Sequence, residues 1–478
     1  MEERSKDGNG SLKSSIVVCR TSSGVELRGT PIRLNRLNVV FEIYAANPFL
    51  RVSEVLGDFK IVFYDRTIYS GQGVVRNIID TGQIVVCEAT LQEKSWKTLA
   101  CNPGSVTKES LREDFAEFLK DAQQSYVVLP EFKLAVADMH SFLADLRLWL
   151  EQWELNVRAT PAGDRTKMEH DLVWGLVEPV GASLNHLFER FECVSKKVPL
   201  DLQPAHSLYV QRLVHPYLMC SPFMHRIYAK PLGYAGDYEM VNMICRDPCE
   251  GGSLFSKVLN CWFLSQMPAE AHRNRIKYLV EKLTRGSMQA REKGRKLRVL
   301  NLGCGPAHEV QRFLSDNLLA NSAEFTLLDF NAETLAHTQG ILDGIKNRQH
   351  LATPLKFEKK SVHNLLKEAG RAVVRPADQG YDFVYCAGLF DYLTDSVCRR
   401  LTNILYDYVV PGGTLVATNV DALNPIQSIM DLIFEWHLIY RNPDQFARVA
   451  PAGSSSENTN LSADETGCNI FIEVKKAA

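Results

Sequence analysis

Gly303-Cys304-Gly305 follows an apolar run over residues 299–302 and precedes Val310, Phe313 and Leu314 at helical spacing. Two glycines one residue apart let a turn come close to a ligand, because glycine has no Cβ and tolerates positive φ. A helix start behind the turn points its N–H groups at polar or negative ligand atoms. Asp329 ends a second apolar run, 26 residues after Gly303. In an α/β nucleotide site, a carboxylate at the end of the second strand accepts the ribose hydroxyls. The spacing points to a nucleoside-bearing cofactor. A dinucleotide fingerprint would place a third glycine at position 308; His308 stands there, which argues against a nicotinamide oxidoreductase.

These residues need a parallel sheet to carry them. Apolar runs predict strands at residues 298–302, 324–329, 356–359 and 381–386, and at 409–417 behind Pro411-Gly412-Gly413. Residues 469–475 predict a last strand, antiparallel to the others, and 451–460 read as loop. The string Leu302-Gly303-Cys304-Gly305-Pro306, with Asp329, Tyr381-Asp382-Phe383-Val384 and the Pro-Gly-Gly turn, resembles the class I S-adenosylmethionine (SAM) methyltransferases. The resemblance implies a Rossmann-like sheet over residues 298–478 and SAM as cofactor. It implies that Gly303, Cys304 and Gly305 approach the cofactor, that Glu309 orients its amino-acid part, and that Asp329 holds the ribose beside Phe330. Ser361 and Val362, after the third strand, would face the adenine; an acid is common there in the family and is missing here. Cys386 and Gly388 would face the methyl group.

Methyl transfer from a sulfonium asks the protein mainly to align a nucleophile and exclude water. A carboxylate acceptor needs no base, whereas a hydroxyl or amine would gain from one. Candidate bases are Asp391 and Tyr392 after the fourth strand, and Tyr234 and Asp237 upstream. The upstream pair lies in Tyr228-Ala229-Lys230-Pro231-Leu232-Gly233-Tyr234-Ala235-Gly236-Asp237-Tyr238, a glycine-bearing loop with tyrosines suited to covering a small ligand. Asp237 also reads as an N-cap for a helix through Met243. The string resembles a segment of the bacterial 3-hydroxypalmitic acid methyl ester biosynthesis proteins. That resemblance implies a fatty or hydroxy-fatty acid carboxylate as acceptor. Other N- or O-methylation, or a second-messenger-regulated protein on a SAM-binding fold, are the alternatives. Tyr228, Tyr238, Phe390 and Asn419 are candidate substrate contacts. Trp436 and Tyr440 join them from residues 426–440, which read as an aromatic helix that either roofs an apolar pocket or packs on other helices.

Upstream, residues 1–14 are polar and read as disordered. Residues 15–102 hold five or six short Val/Ile/Phe/Tyr-rich runs between turn signals, which predict a small β-barrel. It resembles, distantly, a PilZ-type barrel. Arg33 and Arg36 lack the Arg-x3-Arg spacing, and Ser70-Gly71-Gln72-Gly73 lacks the preceding Asp or Asn, so docking is expected there before dinucleotide binding. Pro103-Gly104-Ser105 reads as a linker, and residues 108–293 show helical periodicity: a helical domain that carries the substrate lid. Its histidines lack metal spacing and are expected to be structural.

The chain has 478 residues with a net charge of −2, and no basic stripe marks a nucleic-acid partner. The basic run at 291–298 reads as a solvated linker. Twelve scattered cysteines predict free thiols, no metal and a cytoplasmic setting, and the resemblance to the bacterial group implies a bacterial one. No apolar stretch predicts a signal peptide or an integral membrane segment. A small-molecule substrate is the expected partner, with room for a homodimer.

Overall fold

The computed structural model describes residues 15–43, 50–63, 66–80, 85–92, 95–96, 112, 127–369 and 380–477. The expected disordered start and the Pro103-Gly104-Ser105 linker lie outside them. The chain divides into two compact units. One comprises Met1–Ala235, Cys249–Trp262 and Pro425–His437; the other comprises Gly236–Pro248, Phe263–Asn424 and Leu438–Ala478.

In the first unit, β1 (Ser15–Arg20), β2 (Glu26–Leu34), β3 (Asn38–Ile43), β4 (Val55–Phe63), β5 (Arg66–Asp80) and β6 (Val85–Leu91) close into a barrel. The order is β1-β2-β3-β6-β5-β4, and every pair is antiparallel. Period-two burial explains it: Val17 and Cys19, then Val39, Phe41 and Ile43, then Cys87 and Ala89 are buried while their neighbours are not all so. Phe59 meets Phe41 and Tyr69 edge-on at 5.8 and 6.0 Å. Closure removes the free edges that short strands would otherwise expose.

Among the described residues, helices α1 (Pro130–Ala159), α2 (Ala162–Ser195), α3 (Gln203–Leu218) and α4 (Pro222–Ala229) follow. Pro130 starts α1, where its missing N–H costs nothing. Phe132, Val136, Met139, Leu143, Leu146 and Leu150 bury one stripe of it. Phe132 packs on Phe191 and on the His206 ring, at 5.3 and 4.7 Å. His206 accepts the Leu129 N–H through Nε2 at 3.0 Å and sits 2.8 Å from the Leu202 carbonyl through Nδ1. Burial pushes its pKa down, so the ring is neutral and serves packing.

The 426–440 stretch bears out the expected helix only in its first half: it is helical over residues 427–433, the last five as the π turn Ile429–Ile433, and Glu435 adopts φ 50°. Side chains of α3 take the carbonyls that further helical amides would have used: Ser207 and Gln211 donate to the Leu432 carbonyl at 2.6 and 3.0 Å, and His215 lies 2.8 Å from that of Ile433. Glu192 of α2 accepts the Ser428 and Ile429 amides at 3.1 and 2.8 Å.

The second unit begins with α5 (Tyr238–Cys245); α6 (Leu254–Leu264) gives its residues up to Trp262 to the first unit, and α7 (Met267–Glu292) leads into the sheet. Then come β7 (Leu297–Leu302), α8 (His308–Asp316), β8 (Ala323–Asp329), α9 (Ala332–Gln349), β9 (Leu355–Lys359), α10 (Val362–Ala369) and β10 (Tyr381–Cys386). The chain ends with α11 (Asp395–Asp407), β11 (Val409–Val420), α12 (Pro443–Ala447), β12 (Thr459–Ala463) and β13 (Asn469–Lys475). The sheet order is β12-β13-β11-β10-β7-β8-β9. Strands β7 to β11 run parallel, and β13 is antiparallel to β11 and β12. Val299, Phe325, Leu327, Phe383 and Tyr385 join Leu283, Val310 and Phe313 in one core. Near-continuous apolar strands fit a sheet covered on both faces.

A six-stranded barrel, a helical central region and a C-terminal α/β sheet match the expected fold class. Two local expectations are corrected. β12 starts at Thr459, inside the expected loop, because it pairs with β13 from Thr459↔Val474 onward. The basic run is not merely solvated: Arg295 makes two 2.7 Å bonds to the Asp382 carboxylate. Among the described residues no helix is long and apolar enough to cross a membrane.

Candidate active site

Strand order reverses between β7 and β10, which lie side by side. At such a switch point the loops leaving the carboxyl ends part in opposite directions and leave a crevice. Gly303, Cys304 and Gly305 leave β7 there, Asp329 and Phe330 leave β8, and Cys386 and Gly388 leave β10. Ser361 and Val362 follow β9. The structure thus gathers the cofactor candidates at one sheet edge.

The turn is left-handed at three residues: Gly303 at φ 69°, Gly305 at φ 51° and Ala307 at φ 50°. The first two cost little as glycines; Ala307 holds an uncommon conformation, a strain found at sites that demand a fixed backbone. The amides of Gly303 and Cys304 both donate to the Leu328 carbonyl, at 2.8 and 3.0 Å. Gly305 N–H donates to Asp329 Oδ2 at 3.2 Å, and Thr338 Oγ1 donates to the Gly305 carbonyl at 2.7 Å. Asp329 Oδ1 accepts the Asn331 amide at 2.9 Å. A Cβ built on Gly305 would meet no atom within 4 Å, whereas one on Gly303 would meet Leu389 at 3.6 Å. Among the described residues no side chain caps the start of α8 behind Ala307. A cradle open above Gly305, an uncapped helix start and a fixed acid suit a nucleoside with an attached polar tail.

Glu309, 7% exposed, lies in the first turn of α8. Its Oε1 accepts from Asn301 Nδ2 at 3.1 Å and Tyr385 OH at 2.8 Å. Burial pushes its carboxyl pKa up and that of the Tyr385 hydroxyl further up. Burial also holds the Cys304 and Cys386 thiols well above their ordinary range, so neither is a ready thiolate.

Sequence reasoning missed Arg275. It stands on α7, 8% exposed, and its guanidinium crowds Gly388: a Cβ there would lie 2.7 Å from Nη1. The charges that act on it most strongly are Asp391 and Glu309. One signal marks it. Arg275 falls in phase with Ala271, Leu279 and Leu283, the buried stripe of α7, where a solvated arginine would not.

The remaining candidates fall in several places. Asp391 is buried, and its Oδ1 accepts the Val420 amide at 2.5 Å while its carbonyl accepts that of Ile439 at 2.6 Å. Burial raises its pKa against those bonds. Phe390 packs edge-on against Phe446 at 6.4 Å. Asn419 Nδ2 donates to the Ile439 carbonyl at 3.1 Å and its Oδ1 accepts from Arg441 at 2.6 Å. Asn424 Nδ2 reaches the Tyr440 hydroxyl at 3.4 Å. Ser361 bonds with Asn364 at the start of α10, and Val362 is buried.

Asp237 caps α5, accepting the Met240 amide at 2.8 Å. Tyr238 OH donates to Glu333 Oε1 at 3.0 Å, and its ring lies 4.5 Å from that of His337. Asn242 joins His308 at 2.9 Å and His337 at 3.1 Å. These contacts dock α5 on the starts of α8 and α9, the two helices behind the glycine turn and the acid. A Cβ on Gly236 would come 2.5 Å from Tyr392 OH, so the segment before α5 lies against the segment after β10. Tyr228, Tyr234 and Trp436 belong to the first unit. There Tyr228 meets the His215 ring edge-on at 4.5 Å and Tyr234 lies under Arg51 at 5.1 Å.

Residues 293–457 match the family model described as a methyltransferase domain. No curated protein matches the sequence. A possible exported protein of Bordetella parapertussis is similar in structure, with 18% identity, TM-score 0.41, and coverage of 53% of this chain and 86% of that one. Magnesium protoporphyrin IX methyltransferase from Synechocystis PCC 6803, solved with SAM, aligns at 12% identity and TM-score 0.30 over 44% of this chain and 82% of that one. The N-methyltransferase NodS of Bradyrhizobium japonicum WM9, solved with S-adenosyl-L-homocysteine, aligns at 12% identity and TM-score 0.30 over 50% and 98%. Likeness at these scores supports no statement about the acceptor. The family match spans residues 293–457, which hold the glycine turn, Asp329 and the five parallel strands β7 to β11 of the second unit's sheet.

Proposed function

We propose that the protein transfers the SAM methyl group to a small molecule, with the carboxylate of a fatty or hydroxy-fatty acid as acceptor, in a bacterial cytoplasm. The observation that carries the reading is the Gly303–Gly305 turn locked to Asp329 at the switch point of the sheet. Asp329 takes the ribose hydroxyls, Phe330 and Val362 border the adenine, and the open face of Gly305 receives the nucleoside's tail. The acceptor assignment is supported by the resemblance of residues 228–238 and by chemistry. A carboxylate is already ionised, and Asp391, a buried candidate base, is committed to the Val420 amide. Tyr392 and Tyr238 then shape the acceptor side without moving a proton. The barrel serves docking.

Calorimetry on the full chain tests the donor site. SAM is expected to bind in the micromolar range, and Asp329→Ala to weaken it at least tenfold, about 1.4 kcal/mol. Equal affinity in the variant would remove Asp329 from the site.

A further inference from the structure

We propose that Arg275 and Glu309 form a two-sided clamp for the amino-acid end of the donor, Arg275 taking the α-carboxylate and Glu309 the ammonium. The proposal rests on the SAM reading above. An α-amino acid group carries both charges, so a site built for it needs a buried cation and a buried anion set apart. Glu309 follows the glycine turn of β7, and Arg275 covers Gly388 beyond β10; these strands are neighbours, with Val384 opposite Leu300.

The guanidinium is incompletely satisfied. Arg275 carries five N–H donors, yet among the described residues its side chain makes no hydrogen bond or ion pair. Burying an arginine without an acceptor is costly, and a carboxylate is the group that repays it, through two parallel bonds. The two nearby acids do not fill that role. Glu309 Oε1 is taken by Asn301 and Tyr385, and Asp391 Oδ1 by the Val420 amide. Gly388, at φ 84° with its N–H on Thr418 Oγ1 at 3.0 Å, brings bare backbone against the guanidinium. Any side chain there would strike Nη1, so the glycine keeps the arginine's donors accessible from the crevice. Neutralisation of Asp391 and Glu309 within the core is the alternative role for Arg275, and it predicts a different result.

The test compares S-adenosyl-L-homocysteine with 5′-methylthioadenosine, which shares the nucleoside and thioether but has no amino-acid group. Both are titrated into the full chain, wild type and Arg275→Gln and Arg275→Lys variants. Arg275→Gln is expected to weaken S-adenosyl-L-homocysteine at least tenfold and leave 5′-methylthioadenosine unchanged, with Arg275→Lys between. Retained 5′-methylthioadenosine binding also reports that the variant is folded. Unchanged binding of both compounds, or an equal loss of both, overturns the clamp while the SAM reading stands. Wild-type protein that binds neither compound overturns the SAM reading and the clamp with it.

Discussion

Gly305 and Asp329 are bonded to each other: the glycine amide donates to Oδ2 of the acid at 3.2 Å. The turn after β7 and the end of β8 therefore hold one geometry before any ligand arrives. The second oxygen of Asp329 is fixed by the Asn331 amide. A site aligned in advance spends less binding energy on ordering itself.

Gly305→Ala separates the turn's fold from its ligand. The new Cβ would meet no protein atom within 4 Å, so the folded state pays only the left-handed backbone, on the order of 1 kcal/mol. The same Cβ projects where a ligand would approach. Urea unfolding is expected to show the small loss, and calorimetry a loss of SAM affinity exceeding tenfold. Unaltered affinity would show that the ligand does not pass over this turn.

Arg441 is expected to be a stability residue. It is 1% exposed, and its guanidinium donates to Asp395 Oδ1, the Phe390 and Leu393 carbonyls and Asn419 Oδ1. Removing the guanidinium leaves the Phe390 and Leu393 carbonyls and Asn419 Oδ1 without that donor, and an unsatisfied buried acceptor costs about 1–3 kcal/mol. Arg441→Met should lower stability on that scale, and Arg441→Lys should recover little, since an ammonium cannot match the planar fork. Denaturant midpoints check this; wild-type stability in Arg441→Met would contradict it.

Acid should loosen the second unit. Burial, then Arg312 and His337, lower the pKa of His308 from 6.5 to about 4. Between those values the unfolded chain binds a proton that the folded chain refuses, so stability is full above about pH 6.5 and falls as pH drops toward 4. The His308 contribution at pH 5 is on the order of 1–2 kcal/mol. Urea midpoints at pH 7 and pH 5 should differ accordingly, and His308→Gln should shrink the difference. An equal pH dependence in that variant would exclude His308 as a source.

The strands of both units were readable because their apolar runs are dense: Leu297–Leu302 and Tyr381–Cys386 lie covered on both faces, and the barrel strands alternate. The glycine turn and Asp329 were readable because backbone geometry restricts which residues can stand there. Arg275 escaped notice because it sits among Arg273 and Lys277 on a helix rich in charge, and only its phase with Leu279 distinguishes it. Asp391 and Asn419 looked like chemistry by position, but the bonds that occupy them come from Val420, Ile439 and Arg441, distant enough in sequence to leave no local trace. The π turn at Ile429–Ile433 was unreadable for the same reason, since its form follows from Ser207, Gln211 and His215 on α3.

Methyl transfer itself tests the central claim most directly. The purified full chain, incubated with methyl-labelled SAM and a small-molecule extract, is followed by mass spectrometry of the products. The expected result is label in a lipid-soluble acid as an alkali-labile methyl ester, abolished in Asp329→Ala. Label in protein or nucleic acid, or in no product despite SAM binding, would contradict small-molecule methylation.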